Sequence, residues 1–522
     1  METKNMQIKE YDVIIIGGGI TGVGTARDCA MRGLSTLLVE RSDIADGASG
    51  RNHGLLHSGA RYAVNDAESA EECIRENMII RRIASNCVEE TDGLFITLPE
   101  DDLGYQATFI EKCRAAGINA QAIDPSEAIR LEPSVNPALI GAVRVPDASV
   151  DPFRLCSSNA LDAVLHGAKI LTHNEVVELL RENGRVVGVK LRDSRTGEQQ
   201  EVRSRIVVNA AGIWGARIAE MAGAQIRMLP AKGSLLIFGH RVNKMVINRC
   251  RKPANADILV PGDVVCVIGT TSDKVPFEEC DNMRVTPSEV DILLEEGAKL
   301  APSLTTTRIL RAYAGVRPLV ASDDDPTGRS TSRGIVLLDH ETRDGVPGFI
   351  SITGGKLTSY RLMAEMATDL VCRKLGSDAV CHTADTPIAG SEGGKQGWKA
   401  MGEKAAEGRH GTRTALMDFS TKSEVLCECE HVTRAEIAYA VEHLGVKDMT
   451  DLRRRTRIGM GTCQGGFCMR KVAEALAAEL GCPEMADEFT RQYLQERWKG
   501  MSPVCWGDTM REAEYMIKTH RK

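Results

Sequence analysis

Aromatic residues are scarce in this chain: nine Phe, eight Tyr and four Trp among 522 residues. That argues against a surface built to stack nucleic-acid bases. An excess of positive charge is also missing. Sixty-five Lys and Arg against 72 Asp and Glu leave a formal charge of −7, which offers a polyanion no attraction, so no nucleic-acid partner is expected. Long apolar runs are absent, and no stretch approaches the roughly 18 residues of a spanning helix. The first ten residues mix charges, and the apolar run Val13 to Ile16 is short and leads into glycines. No export signal is therefore expected. The expectation is a soluble cytoplasmic protein of two to four domains, held at a membrane only through partners. No internal repeat stands out.

Cysteine is plentiful by contrast. Sixteen cysteines without an export signal point to free thiols or metal ligands, not disulfides. Cys29, Cys73, Cys113, Cys156 and Cys372 sit in helix-like or apolar contexts and read as small core residues.

The stretch Tyr11 to Glu40 reads as a complete dinucleotide-binding unit. The apolar run at 13–16 is a buried strand. Gly17, Gly19 and Gly22 then occupy the G-x-G-x-x-G positions. They permit a tight turn, close approach of a diphosphate and close packing of helix on strand. The helix N-terminus offers N–H groups and a positive dipole end to that diphosphate. Gly33 stops the helix. Glu40 ends the next strand, where its carboxylate can accept bonds from a ribose. This fingerprint serves FAD and NAD alike.

Farther along, a helix is predicted from about Ala67 to Asn86, and another opens at Asp151-Pro152 with Asp as cap. Strands at Lys169–Thr172, Val187–Leu191 and Ile206–Asn209 form a β-rich insertion. The last ends at Ala210-Ala211-Gly212, small residues that let a cofactor come close, and a helix from Ile213 to Met221 follows. Residues 226–335 alternate apolar strands with polar turns, an antiparallel pattern. Thr286-Pro-Ser-Glu289 in this stretch is a capping box for a helix over 287–299. Strands at Ile335–Leu338 and Phe349–Ile352 lead to a Gly354-Gly355 turn and a helix from Thr358 to about Lys374. A split arrangement of this sort places a ligand cleft between domains. Residues 388–423 are polar and glycine-rich and read as a linker.

Cys427-Glu-Cys429 and Cys463-Gln-Gly-Gly-Phe-Cys468 are two tight cysteine pairs. Four thiolates suit tetrahedral zinc or an iron–sulfur cluster, and two pairs match the two irons of a 2Fe–2S centre. Arg453, Arg454, Arg455 and Arg457 lie nearby. They read either as counter-charge to the cluster or a partner surface, or as a solvated helix face.

Several motifs together resemble the flavin-dependent glycerol-3-phosphate dehydrogenases. They are the segment from Ala48 to Tyr62, Asn209-Ala-Ala-Gly-Ile-Trp214-Gly, Lys232-Gly-Ser234, Tyr313-Ala-Gly-Val-Arg317-Pro-Leu, and Thr353-Gly-Gly-Lys356-Leu-Thr358-Ser-Tyr360-Arg361. The C-terminal cysteines resemble the small domain of bacterioferritin-associated ferredoxin, except that four residues, not two, separate the second pair. The resemblance implies an α/β fold: a Rossmann-type FAD-binding domain of the glutathione-reductase or D-amino-acid-oxidase kind, with an interleaved, mainly antiparallel substrate domain. It implies FAD-binding parts at 8–95, 151–225 and 335–387, substrate-domain parts at 96–150 and 226–334, a 2Fe–2S domain at 424–500 and a tail at 501–522. Implied cofactor contacts are Gly17, Gly18, Gly19, Thr21, Gly22, Glu40, Arg41, Ser49, Ala211, Gly212, Gly355, Lys356, Leu357 and Thr358 for FAD, with Cys427, Cys429, Cys463 and Cys468 on the cluster.

Implied substrate contacts are Arg61, Tyr62, Arg317 and Lys356, the cations for a phosphate. Implied catalytic residues are His57, Arg317 and Lys356, with His57 the base and His53 a second candidate. The implied reaction is oxidation of glycerol 3-phosphate to dihydroxyacetone phosphate. Electrons would pass through the cluster to partner subunits, one of them an iron–sulfur membrane anchor, and then to a quinone at the inner membrane. Two alternatives stay open from the residues: an amino-acid or hydroxy-acid dehydrogenase or oxidase, and a noncatalytic electron-transfer subunit.

Overall fold

A strand turning on glycine begins the first of two compact units in the computed structural model, which describes residues 10–321, 334–391 and 424–520. The linker expected at 388–423 lies, from residue 392 on, outside the described residues. The first unit comprises Met1–Gly50, Cys156–Pro230 and Arg317–Ala389; the second comprises Arg51–Leu155, Ala231–Val316 and Gly390–Lys522.

The first unit is built on an eight-stranded sheet. Strand Glu10–Ile16 lies at its centre, parallel to Thr36–Val39 on one side and to Gln199–Asn209 on the other. Lys169–Leu171 and Phe349–Gly354 extend the parallel part outward. Val13, Ile14 and Ile15 are fully buried, as a strand covered on both faces requires. The β-rich insertion is a hairpin, Asn174–Glu182 with Arg185–Asp193, added antiparallel to Gln199–Asn209. In this register Ile16 lies opposite both Val39 and Asn209, so Gly17, Glu40 and Ala210 emerge side by side at the carboxyl ends of the strands. Ligands bind at that edge in open α/β sheets. Helix Ile20–Met31 packs on helix Tyr360–Leu375. A Cβ on Gly24 would stand 3.0 Å from the Tyr360 ring, so glycine sets how closely the two approach.

The second unit holds a nine-stranded sheet. Most neighbours are antiparallel, although Val246–Arg249 runs parallel to Gly93–Thr97. Helix Pro287–Leu300 lies over it, burying Leu293 and Leu300 in one core with Leu236 and Ile268. Its expected capping box is present, with the Thr286 side chain and Glu289 bonded reciprocally. Residues 51–95 lie in this compact unit, whereas the resemblance counts them with the FAD-binding part. The reason is packing: Ala60, Ala70 and Ile74 share a core with Phe95, Phe109 and Val143.

The four-cysteine segment is part of the second unit as well. Its helices Arg434–His443, Met449–Thr456, Met469–Glu479 and Ala486–Met501 surround a core of Ile437, Leu452, Met469, Val472 and Tyr493. Three sets of contacts fix it to the rest of the second unit. Arg457 reaches Asp263 at 2.9 Å, and Asp151 and Glu430 at 3.2 Å each. Arg308 donates to the Thr462 carbonyl at 2.7 Å and pairs with Glu512 at 2.8 Å. Thr509 donates to the Ile309 carbonyl at 2.7 Å. Arg457 stands at φ 64, a left-handed position normally left to glycine. A long cation is kept there at a backbone cost, because its side chain joins three carboxylates.

Replacing Arg457 by Ala leaves those carboxylates facing one another without their cation. Denaturant unfolding is expected to show a loss of about 3 kcal/mol or more, in the range for breaking a buried pair. An unchanged midpoint would remove Arg457 from the docking account.

Candidate functional site

The nucleotide-binding end of the first unit is cut to fit a backbone-hugging ligand. Gly17 has φ +113, and a Cβ there would lie 2.6 Å from the Ala210 carbonyl oxygen. A Cβ on Gly22 would fall 1.9 Å from the Gly17 oxygen. Neither position can hold another residue without the turn opening. Glu40 is locked in place: its carboxylate accepts from Gly18 N–H at 2.7 Å and from Ser42 N–H at 2.8 Å. Burial pushes its pKa up, against the pull of those two donors. Ser49 Oγ accepts from Ile20 N–H at 2.9 Å, at the start of the first helix. Arg41 stacks over Trp214 at 4.3 Å, and Thr21 donates to the Met363 sulfur at 3.8 Å.

The second glycine turn meets the same helix end. Gly354 and Gly355 have φ +73 and +63, and a Cβ on Gly355 would lie 2.4 Å from the Met363 sulfur. Lys356 and Ser359 close the turn: Ser359 N–H donates to the Lys356 carbonyl and Lys356 N–H to Ser359 Oγ, each at 3.1 Å, with Leu357 and Thr358 between them. Thr353, next to the end of the strand, has a buried hydroxyl with no hydrogen-bond partner among the described residues. A buried polar group of this kind calls for a ligand. The donor-lined glycine turns, the anchored acid and the orphaned hydroxyl fit a dinucleotide such as FAD.

Sequence reading missed the support behind Ala210-Ala211-Gly212. Asn209 donates to the Gly215 carbonyl at 2.9 Å and to Ser351 Oγ at 3.0 Å. Ser351 meets His340 Nε2 at 2.8 Å, and His340 Nδ1 meets Asp344 at 2.6 Å. His340 is fully buried and stacked on Phe349. No sequence signal marks it, because its partners come from other elements.

The expected substrate and catalytic residues divide between the units. Arg317 and Lys356 are in the first, both half-buried. His57, Arg61 and Tyr62 are in the second. There the His57 ring lies 5.9 Å from His53 and 5.5 Å from Tyr62. The following residue, Ser58, donates its N–H to buried Asp147 at 2.7 Å. Tyr313 donates to the Asn52 carbonyl at 2.7 Å, and Gly315 packs on Arg51, where a Cβ would stand 2.4 Å from the Arg51 oxygen. Arg61 is committed to the protein itself: it pairs with fully buried Asp257 at 3.3 Å and donates to the Ala254 carbonyl.

The four cysteines come together. None of the sixteen is in a disulfide, and Cys29, Cys73, Cys113, Cys156 and Cys372 are buried as expected. Contacts between thiols run Cys427–Cys468–Cys463–Cys429, an open chain. The bond to Cys468 holds the Cys427 and Cys463 thiols below the ordinary range, Cys463 down to about 5, and pushes Cys468 up. Thiolates are what a metal needs. The arginines beside them are not a solvated face: Arg455 is buried against the Leu444 carbonyl, and Arg457 is the docking cation described above.

The geometry agrees with what relatives show. Residues 12–361 match the family model described as FAD dependent oxidoreductase, and residues 425–478 match the BFD-like [2Fe-2S] binding domain. A protein of Haemophilus influenzae, named as one subunit of anaerobic glycerol-3-phosphate dehydrogenase, is 59% identical over 97% of this chain and 91% of its own length. The protein of the same name from Escherichia coli K12 is 60% identical, covering 99% and 96%. This chain belongs to that family. A solved glycerol-3-phosphate dehydrogenase from Bacillus halodurans, complexed with FAD, superposes with a TM-score of 0.67 at 22% identity, covering 96% of this chain and 97% of that one. Its likeness shows the fold. The cofactors of this chain are FAD and a 2Fe–2S cluster, each matched by its own domain.

Burial lowers the His340 pKa from its ordinary 6.5, so the neutral ring is the folded form. Its contribution is then complete above pH 6.5 and is lost as pH falls through the lower folded value. His340→Asn is expected to flatten the acid limb of a melting-temperature profile between about pH 8 and 5. A parallel profile for both proteins would contradict this.

Proposed function

We propose that the chain oxidises sn-glycerol 3-phosphate to dihydroxyacetone phosphate and passes the electrons to partner subunits. The observation that carries this reading is the joining of an FAD fold to a four-thiolate domain, in the same order and over nearly the whole length as in the named relatives. Bound FAD supplies the two-electron hydride acceptor, and the 2Fe–2S cluster the one-electron exit.

The chain's own residues do the rest. Arg317 and Lys356 hold the phosphate, the guanidinium as a fork and the ammonium as a point charge. Arg61 is already paired with Asp257, so its charge steadies the loop that carries His57 and Tyr62. His57 accepts the proton of the C2 hydroxyl as hydride leaves that carbon. Glu40, Ser49 and the glycine turns hold the dinucleotide, while Lys356, on the turn after Gly355, places a cation where charge develops.

The relatives are named as one chain of a larger enzyme, which supports an assembly of several chains here. No described helix is long and apolar enough to cross a membrane. In this reading partner subunits, one of them a membrane-anchoring iron–sulfur protein, carry the electrons on to a quinone and hold this chain at the inner membrane.

Arg317→Ala is expected to lower kcat/KM for glycerol 3-phosphate at least a hundredfold, about 2.7 kcal/mol for a charged bond lost. Steady-state turnover with an artificial acceptor measures it. Unchanged turnover would dismiss the phosphate assignment.

A further inference from the structure

Helix Ala486–Met501 turns one face toward strand Ile309–Val320, and that face is crowded with cations. Tyr493, Glu496, Arg497 and Gly500 lie at helical spacing along it. Gly500 is there because nothing larger fits: a Cβ would stand 2.8 Å from Arg311 Nε and 2.9 Å from the Ala312 carbonyl oxygen. Arg311 is 8% exposed and Arg497 3%. Among the described residues, the Nε hydrogens of Arg311, Arg453 and Arg497 meet no hydrogen-bond acceptor. Burial depresses the pKa of Arg311, and it brings that of Arg453 down to about 9, with Arg311 itself the next cause. Among the described residues, Arg308 and Arg497 share Glu512, and Glu496 is the carboxylate that acts on Arg311 and Arg453. Buried positive charge in surplus is costly unless a negative group lies close.

Such a group is one aromatic ring away. The Tyr493 hydroxyl donates to the Gly459 and Gln464 carbonyls at 3.0 and 2.8 Å, tying down the loop that begins at Cys463. The same ring shares a core with Cys427 and Cys468. Its hydroxyl feels Arg453, Arg497, Arg311 and Cys468 together. A 2Fe–2S centre with four thiolates carries a net charge of about −2 when oxidised and one more negative charge after accepting an electron.

We propose that Arg311 and Arg453 are the built-in counter-charge of the four-cysteine centre and raise its affinity for the electron it receives. Arg311 is a positioning residue: it comes from the sheet, not from the cysteine domain, so the docking of that domain sets its electron affinity. A unit charge within about 10 Å, at an effective dielectric of about 20, shifts a one-electron equilibrium by about tenfold. The inference rests on the reading that these cysteines hold a 2Fe–2S cluster.

The test uses the full-length holoprotein and begins with iron and acid-labile sulfide content. Redox titration followed by electron paramagnetic resonance then gives the cluster potential in Arg311→Gln, Arg453→Gln, Arg311→Lys and the exposed control Arg511→Gln. Each Gln variant is expected to bind the electron about tenfold more weakly, ~59 mV for a one-electron couple, with the FAD potential unmoved. Arg311→Lys should recover most of the loss, and Arg511→Gln should stay within about twofold of the parent. In cluster-free protein, Arg311→Gln should raise the melting temperature by removing a repelling cation. Full iron content with unchanged potentials in Arg453→Gln and Arg311→Gln overturns the proposal, as does a Lys variant no better than Gln. Absent iron and sulfide in the parent overturns instead the reading of the cysteines. Should Arg311→Gln fail to fold, Arg453→Gln decides alone.

Discussion

A glycine against an arginine fixes where the four cysteines stand. Gly500 lets a helix of the cysteine domain close onto Arg311 and the Ala312 carbonyl, and the other docking contacts lie around that approach. Arg308, one residue before the strand, can then reach Thr462, next to Cys463, and Glu512. Arg457 can span Asp263 and Asp151 of the sheet-bearing part while holding Glu430, next to Cys429. The cysteine domain is therefore held as part of a larger packed body and not as a bead on a tether. Two residues along the same face of the strand, Tyr313 anchors the Asn52 carbonyl, in the loop that leads to His57. One strand thus supports both the metal end and the loop bearing the proposed base.

The first unit solves a similar problem with the same residue type. Gly17 and Gly22 bring the first strand, the helix and Ala210 together so closely that a single methyl group would force them apart. The turn opens N–H groups toward a diphosphate, and Glu40 is held ready beside it by Gly18 and Ser42. Behind the Ala211 loop, His340, Ser351 and Asn209 form a buried chain of hydrogen bonds that steadies small residues with no side chains of their own to anchor them. Polar networks of this kind rigidify a site only when fully satisfied.

Much of this was legible in the residues. The Rossmann turn announces itself because strand, glycines, helix and acid are contiguous, and local spacing dictates local geometry. Thr286 and Glu289 were legible for the same reason, as was the gathering of Cys427, Cys429, Cys463 and Cys468 in one place. What could not be read depends on contacts distant in sequence. The pairing of Arg61 with Asp257, almost two hundred residues away, could not be read from its motif. Arg453 to Arg457 read equally well as a solvated face, since their partners lie in separate strands and helices. The packing of Ala70 and Ile74 on Phe95 and Val143 was hidden on the same ground: helical periodicity shows that a face is apolar but not what covers it.

In the proposed function, substrate electrons enter at FAD and reach sulfur-bound iron within this one polypeptide. Anaerobic mixing of the purified, cluster-loaded chain with glycerol 3-phosphate, freeze-quenched for electron paramagnetic resonance, tests it most directly. Loss of flavin absorbance is expected to be followed, with no partner chain present, by the signal of a reduced 2Fe–2S centre. Bleached flavin beside a cluster that stays oxidised, though dithionite can reduce it, would contradict the account.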